Sequence, residues 1–189
     1  MHRLDPKYYV AINEDISFES SIFNKNDFIK IHSKNFRNVY KYFLIEDKKN
    51  ICRGIASFGL SHENYIKNPI NGSYGGFEYH PNLYFEIKEK FINFVLEDIC
   101  KINPKYISIT LPPDIYNIEN NVHQLSVLLR NNFIIKNIEI NQFIDIQNYN
   151  LSKSVKHGNR KNIKKCIENQ IRFEKLLPDQ YETAYKIII

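Results

Sequence analysis

Asn71-Gly72-Ser73-Tyr74-Gly75-Gly76-Phe77 holds three of the six glycines in a chain of 189 residues. A β-like apolar segment, Ile51–Leu60, precedes it, and an amphipathic helical pattern, Asn82–Ile102, follows it. Strand, glycine-rich loop and helix N-terminus in that order can hold an anion. Glycines let backbone N–H groups approach a phosphate, and the helix end adds a partial positive charge. The same order also describes a plain turn.

Upstream of the loop, Val39–Asp47 and Ile51–Leu60 both show partial alternation. In the second run Ile51, Arg53, Ile55, Ser57 and Gly59 oppose Cys52, Gly54, Ala56, Phe58 and Leu60. Asp47-Lys48-Lys49-Asn50 joins the two runs as a turn, which predicts a β-hairpin. Tyr8–Ile12 predicts an earlier short strand, and Phe28–Phe36 a loosely spaced helix. Downstream, Asn82 is the expected N-cap after Pro81. Ile87, Phe91, Phe94, Val95, Ile99 and Ile102 make a core stripe at helical spacing. Tyr106–Leu111 alternates and is rich in β-formers, so it predicts a strand. Val122, Leu125, Leu128 and Leu129 predict the buried stripe of a second helix, with Asn131-Asn132 as its left-handed end. Phe133–Gln147 predicts a long strand or a bent pair. The resulting fold class is α/β in the layered α+β sense, a mixed sheet flanked by helices.

Hydrophobic content of 43% and aromatic content of 14% supply a sizeable core and exclude global disorder. A net charge of +5, from 26 basic and 21 acidic side chains, suits an anionic ligand such as a nucleotide, coenzyme A, tRNA or a phosphorylated glycan. Cys52, Cys100 and Cys166 are odd in number and far apart, which argues against a disulfide framework and for a reducing cytoplasm. No apolar run reaches the roughly 18 residues of a membrane span, and the N-terminus leads into no signal-peptide core. The histidines are scattered without ligand spacing and no Cys-x-x-Cys occurs, so no metal site is expected. Neither a Gly-x-Ser-x-Gly elbow nor a phosphate-binding P-loop is present.

The last forty residues differ in character. Ser152–Ile167 predicts a basic helix with Lys156, Arg160 and Lys164 on one stripe and Lys161 and Lys165 on another. Ile171–Glu174 reads as a short strand, Pro178 breaks the chain, and Tyr181–Ile189 starts a new apolar helical pattern. Residues 1–177 are therefore taken as one domain and 178–189 as the start of a second. Tyr185, Ile187, Ile188 and Ile189 would then seek a partner domain or a second copy of the chain.

Three places resemble one family. Ser73-Tyr74-Gly75-Gly76-Phe77 is similar to the loop before the cofactor-side helix in GNAT relatives. Leu128-Leu129-Arg130-Asn131-Asn132-Phe133 is similar to a leucine–leucine–x–x–glycine–phenylalanine helix end, with Asn132 in the glycine position. Gly158-Asn159-Arg160-Lys161-Asn162-Ile163-Lys164-Lys165-Cys166 resembles a basic helix that leads into the next strand and domain. Across about residues 40–175 the chain resembles the N-terminal half of a FemAB/FemX-like protein, whose domains have the GNAT acyltransferase fold. The resemblance implies a GNAT-like, mostly antiparallel sheet. It also implies transfer of an acetyl or aminoacyl group, from acetyl-CoA or aminoacyl-tRNA, to an amine of a cell-envelope or sugar substrate. Full members continue into a second GNAT-like domain, so the alternative is a non-catalytic half that binds a nucleotide-linked glycan.

Acyl transfer to an amine needs a base, donors for the developing oxyanion and correct placement. Gly72, Ser73, Tyr74, Gly75 and Gly76 are the candidate donors for a cofactor's pyrophosphate or an oxyanion. Arg53, Arg160, Lys161 and Lys164 are the candidate anion contacts, Arg160 being the one able to bind two oxygens at once. Glu78 and His80, just past the loop, are the candidate acid or base.

Overall fold

The computed structural model describes residues 2–143, 150, 155–172 and 175–188. The chain divides into two units, Met1–Glu139 and Ile140–Ile189, with the break well before the boundary expected at Pro178. The first unit holds seven strands: β1 (His2–Arg3), β2 (Tyr8–Ile12), β3 (Asn38–Glu46), β4 (Ile51–Leu60), β5 (Ile66–Asn68), β6 (Glu78–Tyr79) and β7 (Ile107–Ile109). Its helices are α1 (Asn26–His32), α2 (Phe85–Cys100) and α3 (Asp114–Arg130). The sheet runs β1-β2-β3-β4-β5-β7, with β6 also on β4. Every pairing is antiparallel except β5 with β7. The expected hairpin is β3–β4, turned by Asp47–Lys49 and closed by Asn50 in the left-handed region (φ 49°).

β5 and β6 are two halves of one interrupted strand. Ile66 and Lys67 pair with Leu60 and Gly59, and Glu78 and Tyr79 pair with Ile55 and Gly54 in the same sense. Ten residues, 68–77, thus stand opposite three, 56–58, so seven are looped out of the strand. The glycine-rich stretch belongs to this excursion rather than to a strand–helix connection.

α2 and α3 cover one face of the sheet. Ile87, Phe91, Ile92, Val95 and Ile99 pack with Tyr42, Leu44, Ala56, Phe58 and Phe77. Each such side chain contributes roughly 1.5–3 kcal/mol on burial. A side-chain cap contributes about 1 kcal/mol, so burial decides where the helix starts. Its N-cap is Tyr84, without a side-chain hydrogen bond, and not Asn82. The opposite face carries a smaller cluster, Tyr9, Ala11, Phe43, Ile45 and Ile55, against Ile16 and Phe18.

α3 presents a different face from the expected one. Asn121, Gln124, Val127 and Leu128 point inward, while Val122, Leu125 and Leu129 are exposed. The Gln124 carboxamide, hydrogen-bonded into the looped-out segment, fixes this rotation. The helix ends as expected, with Asn132 at φ 63° and the Phe133 N–H donating to the Leu128 carbonyl. Over 133–143 there is no strand, because these residues join no ladder of the sheet. Residues 144–147 of the expected strand lie outside the described residues.

In the second unit the basic segment forms α4 (His157–Glu168), and Tyr181–Ile188 forms α5. Ile171 and Arg172 are not in a strand, and Phe173 and Glu174 lie outside the described residues.

Candidate functional site

Two buried carboxamides hold the looped-out segment. Asn68 accepts from the Gly76 N–H at 2.5 Å and donates to the carbonyls of Ser57 (2.9 Å) and Gly76 (3.3 Å). It bridges the interrupted strand to β4 where no backbone pairing exists. Gln124 does the same from α3, accepting from the Phe77 N–H (2.7 Å) and donating to the Phe77 carbonyl (3.0 Å). The Gly75 N–H donates to the Thr110 carbonyl at 2.7 Å. Gly75 and Gly76 are buried, and their N–H groups are engaged inside the fold. The anion cradle expected over residues 72–76 is thereby cut back to its exposed tip, Gly72 and Ser73, with Tyr74 half-buried against Phe23 and Tyr116. The glycines answer to close packing instead. A Cβ on Gly76, at φ 86°, would stand 2.8 Å from Gln124 Oε1, and one on Gly72 would enter the Phe23 ring.

Glu78 is likewise engaged. Its carboxylate accepts from the Ser21 N–H (2.6 Å), the Ser21 hydroxyl and Asn24 Nδ2 (2.7 Å). It ties the Ile22–Asn24 turn to β6. Both carboxylate oxygens are thereby occupied by donors from within the fold.

Arg53 and His80 do come together. The β3–β4 register slips between Leu44 and Ile45, with Leu44 opposite Gly54 and Ile45 opposite Cys52. Arg53 is the extra residue of that β-bulge, and a bulge redirects a side chain that simple alternation would place elsewhere. Beyond it Cys52 packs with the Ile55 cluster, the reverse of the expected faces. Arg53 lines a cleft of about 210 Å³ with Tyr8, Glu46, Lys49, His80, Asn82 and Leu83. Its Nη2 and Nε reach one Glu46 oxygen at 2.7 and 2.8 Å, and Lys49 Nζ reaches the other at 3.0 Å. The hydrogen bond from Lys49, then that from Arg53, hold the Glu46 carboxyl below its ordinary range. Burial, then the Glu46 charge, push the Tyr8 phenol up, so it stays protonated. The His80 N–H donates to the Arg53 carbonyl at 2.8 Å, fixing one wall to the other. Two cations share one carboxylate, which leaves the cleft a net positive charge for an incoming anion.

The depressed Glu46 carboxyl has a stability consequence. Its contribution is full above the unfolded carboxylate value, about 4.3, and is lost as pH falls through the lower folded value. Urea midpoints measured from pH 6 to pH 3 should therefore fall less steeply for Glu46→Gln than for the parent chain. Parallel slopes would show that the triad contributes nothing to stability.

Arg160, Lys161 and Lys164 all lie exposed on α4 in the second unit. Arg160 Nε donates to the Val155 carbonyl at 2.8 Å, and Lys164 stands 3.8 Å from Glu168. Tyr185 on α5 is exposed. No group of histidines, cysteines and carboxylates able to hold a metal occurs among the described residues, and no described helix is long and apolar enough to cross a membrane.

No family model matches this chain, and no curated protein or solved structure matches it. The site must be read from its own geometry. Sequence reasoning passed over Tyr8, Glu46 and Lys49 because a bulge and a hairpin turn, neither visible as a motif, bring them to Arg53.

Proposed function

We propose that the first unit is a GNAT-type acyltransferase domain that holds an anionic part of its acyl donor or acceptor in the Arg53–His80 cleft. The bulge that sends Arg53 into this cleft is the observation that carries the reading. A bulge interrupts strand pairing, and such irregularities concentrate where a side chain must be aimed at a ligand. The mostly antiparallel sheet with helices on it is the layout that the family resemblance leads one to expect. Within the cleft Arg53 and Lys49 would position the anion, and His80 is the group able to take a proton from an attacking amine. Glu46 is unsuited to that role, since its two ion pairs hold it charged and weakly basic. The acetyl or aminoacyl donor and the sugar or cell-envelope amine remain those implied by the resemblance.

A second reading is a substrate-binding half without catalysis of its own. It is favoured by Glu78, Gly75 and Gly76 being engaged in structural hydrogen bonds. Thermal shift with acetyl-CoA, CoA and UDP-sugars separates the two. Stabilisation by CoA compounds that Arg53→Ala weakens by about 1.5–3 kcal/mol, the range for a charged hydrogen bond, supports the transferase. Stabilisation by a UDP-linked sugar alone supports the binding half. No shift with any of the three abandons both. Gly75→Asp is unsuitable as a probe, because a side chain there meets Asn68 Oδ1 and Pro69.

A further inference from the structure

The regular part of α3 starts later than its first residue. Asn117 has φ −167° and ψ 87°, and its Oδ1 accepts from the Asn120 N–H at 3.0 Å, so it caps a helix that runs from Ile118 to Arg130. At about 100° per residue, Ile118, Val122, Leu125 and Leu129 fall within about 60° of one another. They form one straight apolar line down the helix, and each is between 36% and 60% exposed. The arc on one side of this line faces the core through Asn121, Gln124, Val127 and Leu128. Beyond the other side lies α2, where Arg130 meets Glu89 at 3.0 Å, His123 stacks on Phe85 and Asn131 donates to Asn93 at 2.9 Å. Single exposed apolar residues are ordinary, but a contiguous line of them marks a contact surface.

The line is symmetric about its own midpoint. Val122 and Leu125 stand equally far from the point between His123 and Gln124, and so do Ile118 and Leu129. A second α3 laid antiparallel on the first therefore sets Ile118 against Leu129 and Val122 against Leu125, each pair twice, with no apolar residue of the line facing a polar one. Spacings of four, three and four residues are those of helices that interlock at a shallow angle, with axes roughly 8–10 Å apart. The charges agree with the same register. Glu119 and Arg130 are both exposed, and both lie on one edge of the line, about 100° and 120° round from Ile118. A two-fold axis perpendicular to both helices keeps that edge on one side of the pair. It brings Glu119 of one copy beside Arg130 of the other, an ion pair at each end. In a parallel pair the two charges would stand about 16 Å apart along the axis.

We propose that this exposed line is a two-fold interface between two copies of the chain, α3 packed antiparallel on α3 through Ile118, Val122, Leu125 and Leu129. A closed two-fold uses the same patch on both copies, so a self-complementary line is the form that such an interface requires. The contact costs the core nothing, because Val127 and Leu128 serve the core from the opposite arc of the helix. No residue lining the Arg53 cleft takes part, so the interface stands or falls independently of what that cleft binds.

Sedimentation equilibrium of the full chain tests this. The 22.5 kDa chain should populate a dimer by about 0.5 mM, a level that reveals dissociation constants up to about 1 mM. Val122→Asp should weaken association at least about a hundredfold, since the change occurs twice across the two-fold and each unpaired carboxylate costs a factor of about ten or more. Ile118→Glu, nearer the end of the line, should act in the same direction. Both positions are exposed within one copy, so far-UV circular dichroism and melting at high dilution should match the parent; if one variant fails to fold, the other decides. Glu119→Arg and Arg130→Glu should each weaken association about threefold to tenfold, and the double reversal should recover the parent value. A parent chain that stays monomeric overturns the proposal, whether another protein or another part of the chain covers the line. A dimer indifferent to Val122→Asp and Ile118→Glu overturns it too, because the contact then lies elsewhere. Weakening by both single reversals without recovery in the double overturns the antiparallel register.

Discussion

Asn68→Ala should lower the free energy of unfolding by about 3–5 kcal/mol, since each buried backbone group left without a partner costs roughly 1–3 kcal/mol. Three such groups depend on this side chain: the Gly76 N–H, the Gly76 carbonyl and the Ser57 carbonyl. Asn68 is 1% exposed, so water cannot replace it without rearrangement. The urea midpoint is the measurement, with the slope against denaturant unchanged if only the native state is affected. Asn68→Asp keeps the acceptor for Gly76 but faces two carbonyls with a carboxylate. That carboxyl should titrate above its unfolded value. The variant should therefore be most stable below the unfolded value and lose stability as pH rises through the folded one. A loss below about 1 kcal/mol in Asn68→Ala, the net value of one ordinary hydrogen bond, would show that the excursion holds itself.

This residue marks the limit of what local sequence conveys. The α2 stripe was legible because it keeps one periodicity over the 16 residues of the helix, and the β3–β4 hairpin because two partly alternating runs flank a turn. The interruption of the β5–β6 strand was not, because it depends on which residues of β4 lie opposite, a non-local fact. Asn71–Phe77 has the composition of a phosphate loop, but its glycines serve close contacts with Gln124, Asn68 and Phe23. Composition alone does not separate those uses of glycine.

α3 shows the same limit from the other side. Val122, Leu125 and Leu129 recur at helical spacing and are nevertheless exposed, while Gln124 is fully buried. Hydrophobic periodicity assigns the apolar face to the interior. Here the unsatisfied backbone of the Phe77 segment exerts a stronger demand, and a carboxamide with one donor and one acceptor meets it. The site was half legible in the same sense. Arg53 and His80 stood out by type in an apolar strand and beside a loop. Their meeting, and the arrival of Lys49 and Glu46, needed the bulge.

Phe91→Ala should cost about 3–5 kcal/mol, the usual range for deleting a fully buried aromatic ring. Phe91 is 0% exposed and contacts two rings edge-on, Phe77 at 5.9 Å and 84° and Tyr79 at 6.1 Å and 76°. Phe77 directly precedes β6 and Tyr79 ends it, both facing the same core cluster, so the substitution opens a void beneath the end of the interrupted strand. Neither neighbour can collapse far: the backbone of Phe77 is clamped by Gln124, and the Tyr79 hydroxyl reaches the Lys88 carbonyl at 3.4 Å. The loss should therefore sit near the top of the range, with Phe91→Leu losing less because most of the volume is kept. An apolar void of this kind stays dry and accepts a small aromatic, so benzene should raise the melting temperature of Phe91→Ala and leave the parent unchanged. A loss under about 2 kcal/mol, with no benzene effect, would mean that α2 slides to fill the space.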